Sequence, residues 1–287
     1  MVDSVGSPHT RRAYGQALDE FLAWYRAEGR GPFGKAAVQQ YRARLEHKGL
    51  ASSSINVRLA AVRKLASEAA DNGLLAPELA AGIARVRGAK RQGVRAGNWL
   101  TREQAQALIE APDAATLKGR RDRAILALLV GCGLRRAEIV ALTVGHLQQR
   151  EARWVIADLL GKGRRVRTVP VPGWVHARVA EWTGAAFILE GKLFRSLNKA
   201  GVVGGAGISE KAVWYIVREY AAAVGLPKVA PHDLRRTCAR LCRTAGGELE
   251  QIQFLLGHAS IQTTERYLGS RQELRQAVND NLGLGGA

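Results

Sequence analysis

The chain has 287 residues, with 43 Lys and Arg against 25 Asp and Glu, a formal net charge of +18. Its 47% hydrophobic residues suffice for the core of one large or two ordinary domains, and the charge favours a polyanionic partner, nucleic acid first. No apolar run reaches the length of a membrane-spanning helix, and "MVDSVGSPHTRRAY" lacks the apolar core of a signal peptide, so a soluble, cytoplasmic protein is expected.

Ser7 and Pro8 open a capped first helix, in which Tyr14, Leu18, Phe21 and Tyr25 keep helical spacing until Gly29. Val38, Tyr41 and Leu45 predict a second helix, Ile55, Leu59, Val62 and Ala66 a third, and Ala80, Ile83 and Ala84 a weaker fourth. Residues 1–88 therefore read as a small helical bundle. Arg58, Arg63 and Lys64 lie off the apolar stripe of the third helix, where they either contact nucleic acid or are solvated, and position alone leaves both open. From Arg85 to Gly97 the chain reads "RVRGAKRQGVRAG", with five basic residues, no acidic ones and three glycines. Residues 89–97 are read as a basic linker, either a solvated tether or, preferably, a strap that crosses phosphates through Lys90, Arg91 and Arg95.

Thr101 and Gln104 form a capping box that opens a second domain, 98–287. Its pattern is mostly helical, with one strand pair, "ARWVIADLL" and "RRVRTVPV", joined by the turn "GKG". The predicted class is mainly α, with a small β-hairpin in an α+β C-terminal domain. "GVVGGAG", Gly201 to Gly207, lacks the lysine of a phosphate-binding loop and is expected to be a flexible connection. Cys238 and Cys242 can share a helix face, but no CxxC or second Cys/His pair completes a metal site, so core thiols are expected; Cys132 stands alone. Near the C-terminus, Leu274, Ala277 and Val278 keep helical spacing, for a helix that either folds back on its own domain or docks into a neighbouring protomer.

Several side chains of this domain bear on chemistry. "GCGLRRAEIVAL" puts Arg135 after a glycine-flanked turn and Glu138 one helical turn on, where its carboxylate can steady the guanidinium or a neighbouring backbone group. Lys162 sits at the hairpin tip of "GKG", and "PHDLRRTCAR" aligns His232 and Arg235 on the first turn of a helix. "LLGHASIQTTERYLG" carries His258 and Tyr267: Leu249, Ile252, Leu255 and Leu256 give one helix an apolar face, Gly257 closes it, and Ser260 caps the next. That stretch alone is equally a DNA-gripping helix pair with a packed tyrosine.

The order Arg135, Lys162, His232, Arg235, His258, Tyr267, in these local contexts, resembles the tyrosine recombinases, the phage-integrase and Xer-like enzymes, over nearly the whole chain. The resemblance implies a SAM-like core-binding bundle, 1–88, and a catalytic domain, 98–287. Cys132 stands where that family often has a hydroxyl residue. By this likeness the enzyme cleaves and rejoins DNA at a specific site through a covalent 3′-phosphotyrosyl intermediate, giving integration, excision or resolution. The chemistry fits the residue types. Arg135 and Arg235 can offer forked donors to the non-bridging phosphate oxygens, and His258 a third hydrogen bond. Tyr267 is the nucleophile and His232 is placed for proton transfer with it; the family gives the general-acid role to the hairpin lysine, Lys162. The ester keeps the energy of the broken bond, so no nucleotide, metal or other cofactor is expected. The implied partners are double-stranded DNA with a specific site, three further protomers in a tetrameric synapse, and, where the site demands them, accessory DNA-bending proteins. A non-catalytic DNA-binding protein and a type IB topoisomerase-like nicking-resealing enzyme are the alternatives.

Overall fold

The computed structural model describes residues 8–28, 31–90, 98–161, 165–198 and 200–268. Ser7, Arg91, Arg95, Lys162 and the C-terminal segment with Leu274, Ala277 and Val278 lie outside them. The chain divides into two compact units, one up to Arg95 and one from Ala96.

The first unit consists of α1 (Pro8–Ala27), α2 (Lys35–His47), α3 (Ser52–Asp71) and α4 (Pro77–Ala84). The residues spaced at helical intervals are the ones that meet: Phe21, Val38, Tyr41, Leu45, Ile55, Leu59, Val62, Ala66 and Ile83 share one core. The Phe21 ring stands edge-on to Tyr41, with centroids 5.0 Å apart.

Packing carries this unit past residue 88, because Val86 and Ala89 belong to its core. Asn56 holds Ala89 from both sides, accepting from its N–H (2.8 Å) and donating to its carbonyl (3.0 Å). Ser52 Oγ donates to the carbonyl of Lys90 (2.9 Å), whose side chain stays exposed. The linker's first two residues are thus attached to the bundle. Asn56→Ala removes both Ala89 bonds and should cost about 1–3 kcal/mol of local stability. Hydrogen exchange at the Ala89 amide should accelerate by roughly tenfold or more, and an unchanged rate would show that apolar packing alone holds the segment.

The three basic residues of the third helix have intramolecular partners. Arg58 pairs with Glu20 through Nε (2.7 Å) and Nη2 (3.1 Å), Arg63 Nη2 donates to the carbonyl of Val86, and Lys64 pairs with Glu68 one turn away (2.7 Å). Arg58 and Arg63 therefore tie helices and chain segments together within the bundle, and Lys64 is tied along its own helix.

In the second unit, α5 (Arg102–Glu110) opens on the expected capping box: the Thr101 hydroxyl accepts from Gln104 N–H (3.2 Å) and Gln104 Oε1 accepts from Thr101 N–H (3.0 Å). Next, α6 (Leu117–Gly131) is buried from Ala124 to Val130 on every face, so it forms the centre of the unit. It is followed by α7 (Arg136–Ala141) and by a sheet of β1 (Leu147–Arg150), β2 (Arg153–Leu160) and β3 (Val166–Pro170), antiparallel in the order β1-β2-β3. After α8 (Gly173–Ala185), β4 (Arg195–Leu197) pairs antiparallel with β5 (Val203–Gly207). The chain then forms α9 (Glu210–Ala223), α10 (Pro231–Thr244), α11 (Leu249–Leu256) and α12 (Ile261–Leu268).

Two readings change here. "GVVGGAG" is not a flexible connection, since Val203–Gly207 is a strand, and the hairpin is joined by a third strand, β1. Both differences arise from pairing, which satisfies backbone groups in segments whose own side chains carry little strand signal. Cys132 and Cys238 are buried and Cys242 half-buried, all as free thiols.

Candidate active site

The site is assembled from four short pieces of chain. At the start of α10, Asp233 Oδ2 accepts from Ala230 N–H (3.0 Å), which fixes the first turn. His232 then stays exposed, while Arg235 turns inward and is only 1% exposed. After α6, Gly133 adopts φ +59°, and a Cβ there would lie 2.9 Å from Leu256, so this turn requires glycine. The turn delivers Arg135 as the N-cap of α7. Glu138 serves both functions open to it: Oε2 accepts from Arg135 N–H (2.8 Å) and Oε1 from Arg135 Nη1 (2.7 Å).

Gly257 closes α11 in the left-handed region, φ +62°, and donates to the carbonyl of Phe254 (3.0 Å). His258 follows, with Nδ1 3.0 Å from the fully buried hydroxyl of Thr264. Tyr267, on the last turn of α12, packs on the cluster of Ala239, Ile252, Leu256 and Leu268. Both imidazoles stand edge-on to its ring, His232 at 5.4 Å and His258 at 5.1 Å, and the Arg236 guanidinium lies over it at 5.2 Å.

The cations converge on the C-terminal end of α11. Arg235 donates through Nη1 to the carbonyl of Gly133 and through Nη2 to that of Leu256, and Arg135 Nη2 reaches the same Leu256 oxygen (3.5 Å). A helix C-terminus, with its unpaired carbonyls and negative dipole end, is a suitable place to gather positive charge.

This crowding shifts the titrating groups. Burial, and then Arg235 and Arg135, push His258 down to about 4. His232 is also lowered, by desolvation first and by Arg236 and Arg235 next. Both rings are therefore neutral at pH 7. Arg235 comes down to about 10 through burial and the neighbouring Arg135. Burial pushes the Tyr267 phenol up to about 12 against the pull of Arg235, Arg236 and Arg135. Its hydroxyl donates to the carbonyl of His232 (3.3 Å), so the hydrogen bond runs to the backbone of that residue. Five of the six motif residues thus lie together, and the sixth, Lys162, is outside the described residues.

The sequence of the second unit, residues 98–273, matches the phage integrase family, and residues 1–73 match the N-terminal SAM-like domain of phage integrases. The chain belongs to the phage integrase family. It is 31% identical to a tyrosine recombinase of Synechococcus elongatus over 96% of its length and 89% of that protein. It is also 31% identical to the tyrosine recombinase XerC of Thermodesulfovibrio yellowstonii, covering 91% and 85% of the two chains. Among solved structures, the fold is similar to that of XerH recombinase bound to difH substrate, with TM-score 0.69, 17% identity and coverage of 92% and 76%. It is likewise similar to lambda integrase bound to a COC' core site, with TM-score 0.66, 16% identity and coverage of 91% and 88%.

Within this tyrosine recombinase, the structure adds side chains that motif reading passed over. Thr264 meets His258, Arg236 covers the Tyr267 ring, and Arg167 lies against Glu138. A signal for Arg167 existed, since β3 alternates and places it on the same side as the buried Val169. A charge on the inward face of a strand needs a partner, but the alternation does not say which.

Proposed function

We propose that this chain cuts one strand of duplex DNA at a specific site by attack of the Tyr267 oxygen on a phosphorus, with loss of the 5′ oxygen and formation of a 3′-phosphotyrosyl ester. A 5′ hydroxyl of another strand then reverses the step. Arg135 and Arg235 hold the non-bridging oxygens, where the transition state gathers charge. His258, neutral and with Nδ1 beside the Thr264 hydroxyl, donates one hydrogen bond through Nε2. His232, also neutral, can accept the phenol proton once DNA draws the hydroxyl away from the backbone carbonyl. Lys162 protonates the departing 5′ oxygen. Four protomers on two DNA sites exchange strands, since one protomer on one site can cut but cannot exchange, and the C-terminal segment with Leu274, Ala277 and Val278 docks into a neighbouring protomer. The convergence of Tyr267, two imidazoles and the Arg135–Arg235 pair on one end of α11 is the observation that carries this reading.

Incubating the protein with sheared chromosomal DNA from its own source, denaturing it and sequencing the attached fragments tests the proposal. One recurrent sequence joined through Tyr267 is expected, whereas DNA attached nowhere, or through another residue, would overturn it. The linker contributes through phosphates: neutralising Lys90, Arg91 and Arg95 should weaken binding about equally on the captured duplex and on random DNA. The salt dependence should flatten by up to roughly 0.9 log unit per lost contact. An unchanged slope would leave the linker a tether.

A further inference from the structure

Arg167 reaches from β3 into the middle of the cation cluster. Its Nη1 and Nη2 donate to Glu138 Oε1 (2.8 Å) and Oε2 (2.9 Å), a forked pair, and its Nε donates to the carbonyl of Leu255 (3.2 Å). All three guanidinium nitrogens are therefore engaged inside the protein, and only 10% of the side chain is exposed. Two glycines make room for it. A Cβ at Gly257 would lie 2.9 Å from Arg167 Cδ, and one at Gly161, at the base of the hairpin, 3.0 Å from Nη1.

The contacts of Arg167 and Glu138 connect two pieces of the site, the start of α7 and the end of α11. Glu138 holds Arg135 through both backbone and side chain, and Arg167 holds Glu138. Arg167 also holds the Leu255 carbonyl, next to the Leu256 oxygen on which Arg135 and Arg235 meet and three residues before His258. We propose that Arg167 is a positioning residue for cleavage: it fixes the Glu138 carboxylate, and through it Arg135, relative to the end of α11 that carries His258 and leads to Tyr267. This rests on the reading of Tyr267 as nucleophile given above.

Charge makes the proposal testable. The groups facing the Glu138 carboxylate are Arg135 from the start of α7, Arg167 from β3 and Arg235 from α10. Burial raises this carboxyl, but hydrogen bonding and charge from Arg167, followed by the contacts of Arg135, overcome it and hold the group at about 2. Without Arg167 the burial effect is left with weaker opposition, so Glu138 takes up a proton as pH falls through a higher range, and Arg135 loses its tether there.

The experiment is single-turnover adduct formation on the duplex captured by the wild type, resynthesised with a nick next to the cut, followed from pH 5 to 8. Arg167→Met should slow adduct formation at pH 7 on the order of a hundredfold, the scale of loss when reacting groups are misplaced by about an ångström. DNA affinity should stay within a few-fold. The acid side of its pH profile should move to higher pH than that of the wild type. Adding Glu138→Gln to the same variant should return that limb to the wild-type position, although the rate remains low. Arg167→Lys, which keeps the charge and loses the fork, should fall between, and it decides the matter alone if the methionine variant does not fold. A loss of rate with an unmoved acid limb, or wild-type rates in both variants, would overturn the proposal while the wild-type adduct still stands. Absence of adduct in the wild type would instead overturn the reading of Tyr267, and this proposal with it.

Discussion

Tyr267→Phe should abolish the covalent protein–DNA adduct and leave DNA binding within a few-fold of wild type. The phenylalanine ring keeps what the tyrosine ring provides: packing on Ala239, Ile252, Leu256 and Leu268, the edge contacts of His232 and His258, and the Arg236 guanidinium over its face. The hydroxyl itself makes one long hydrogen bond, 3.3 Å, to the carbonyl of His232, so its removal should change stability by less than about 1 kcal/mol. What disappears is the only atom of this side chain able to attack phosphorus. Trapping both proteins on the nicked duplex and resolving them under denaturing conditions gives the comparison. A covalent band that persists in the phenylalanine variant would move the nucleophile elsewhere in the chain.

Arg235→Lys should separate transition-state stabilisation from grip. The lysine keeps a positive charge at the bottom of the site, so affinity for DNA should change little, while the forked donor is lost and cleavage should slow by roughly a hundredfold or more. The structure adds a second consequence. Arg235 is 1% exposed and its two Nη atoms tie the carbonyls of Gly133 and Leu256, a fixed fork that the compact ammonium of lysine does not reproduce. Leaving one buried carbonyl without a donor should cost about 1–3 kcal/mol, visible as a lower melting temperature. Rate and affinity are therefore to be compared at a temperature where circular dichroism shows both proteins folded. Single-turnover cleavage within a few-fold of wild type would make Arg235 an ordinary anchor.

The helical bundle was legible in the sequence because helix burial follows a local period: Val38, Tyr41 and Leu45, and Ile55, Leu59, Val62 and Ala66, reach the core in the register their spacing predicts. The Thr101–Gln104 capping box and the left-handed Gly257 were legible for the same reason, since both depend on residues within one turn. The assembly of Arg135, His232, Arg235, His258 and Tyr267 was legible through the family resemblance that their motifs carry together. Strand β1 and the β4–β5 pair were not, because a strand is stabilised by pairing rather than by a period of its own, and a glycine-rich segment such as "GVVGGAG" carries few side chains to signal it. The partners of charges were equally hidden. That Arg58 meets Glu20, that Tyr267 donates to the carbonyl of His232, and that Arg167 rather than solvent faces Glu138, are settled by distances of a few ångströms between elements far apart in sequence. Sequence alone determined the helices, the turns and the set of motif side chains; tertiary structure decided which of those charges are bound to one another, because a buried ionic contact depends on the three-dimensional approach of its partners and leaves no period in the chain.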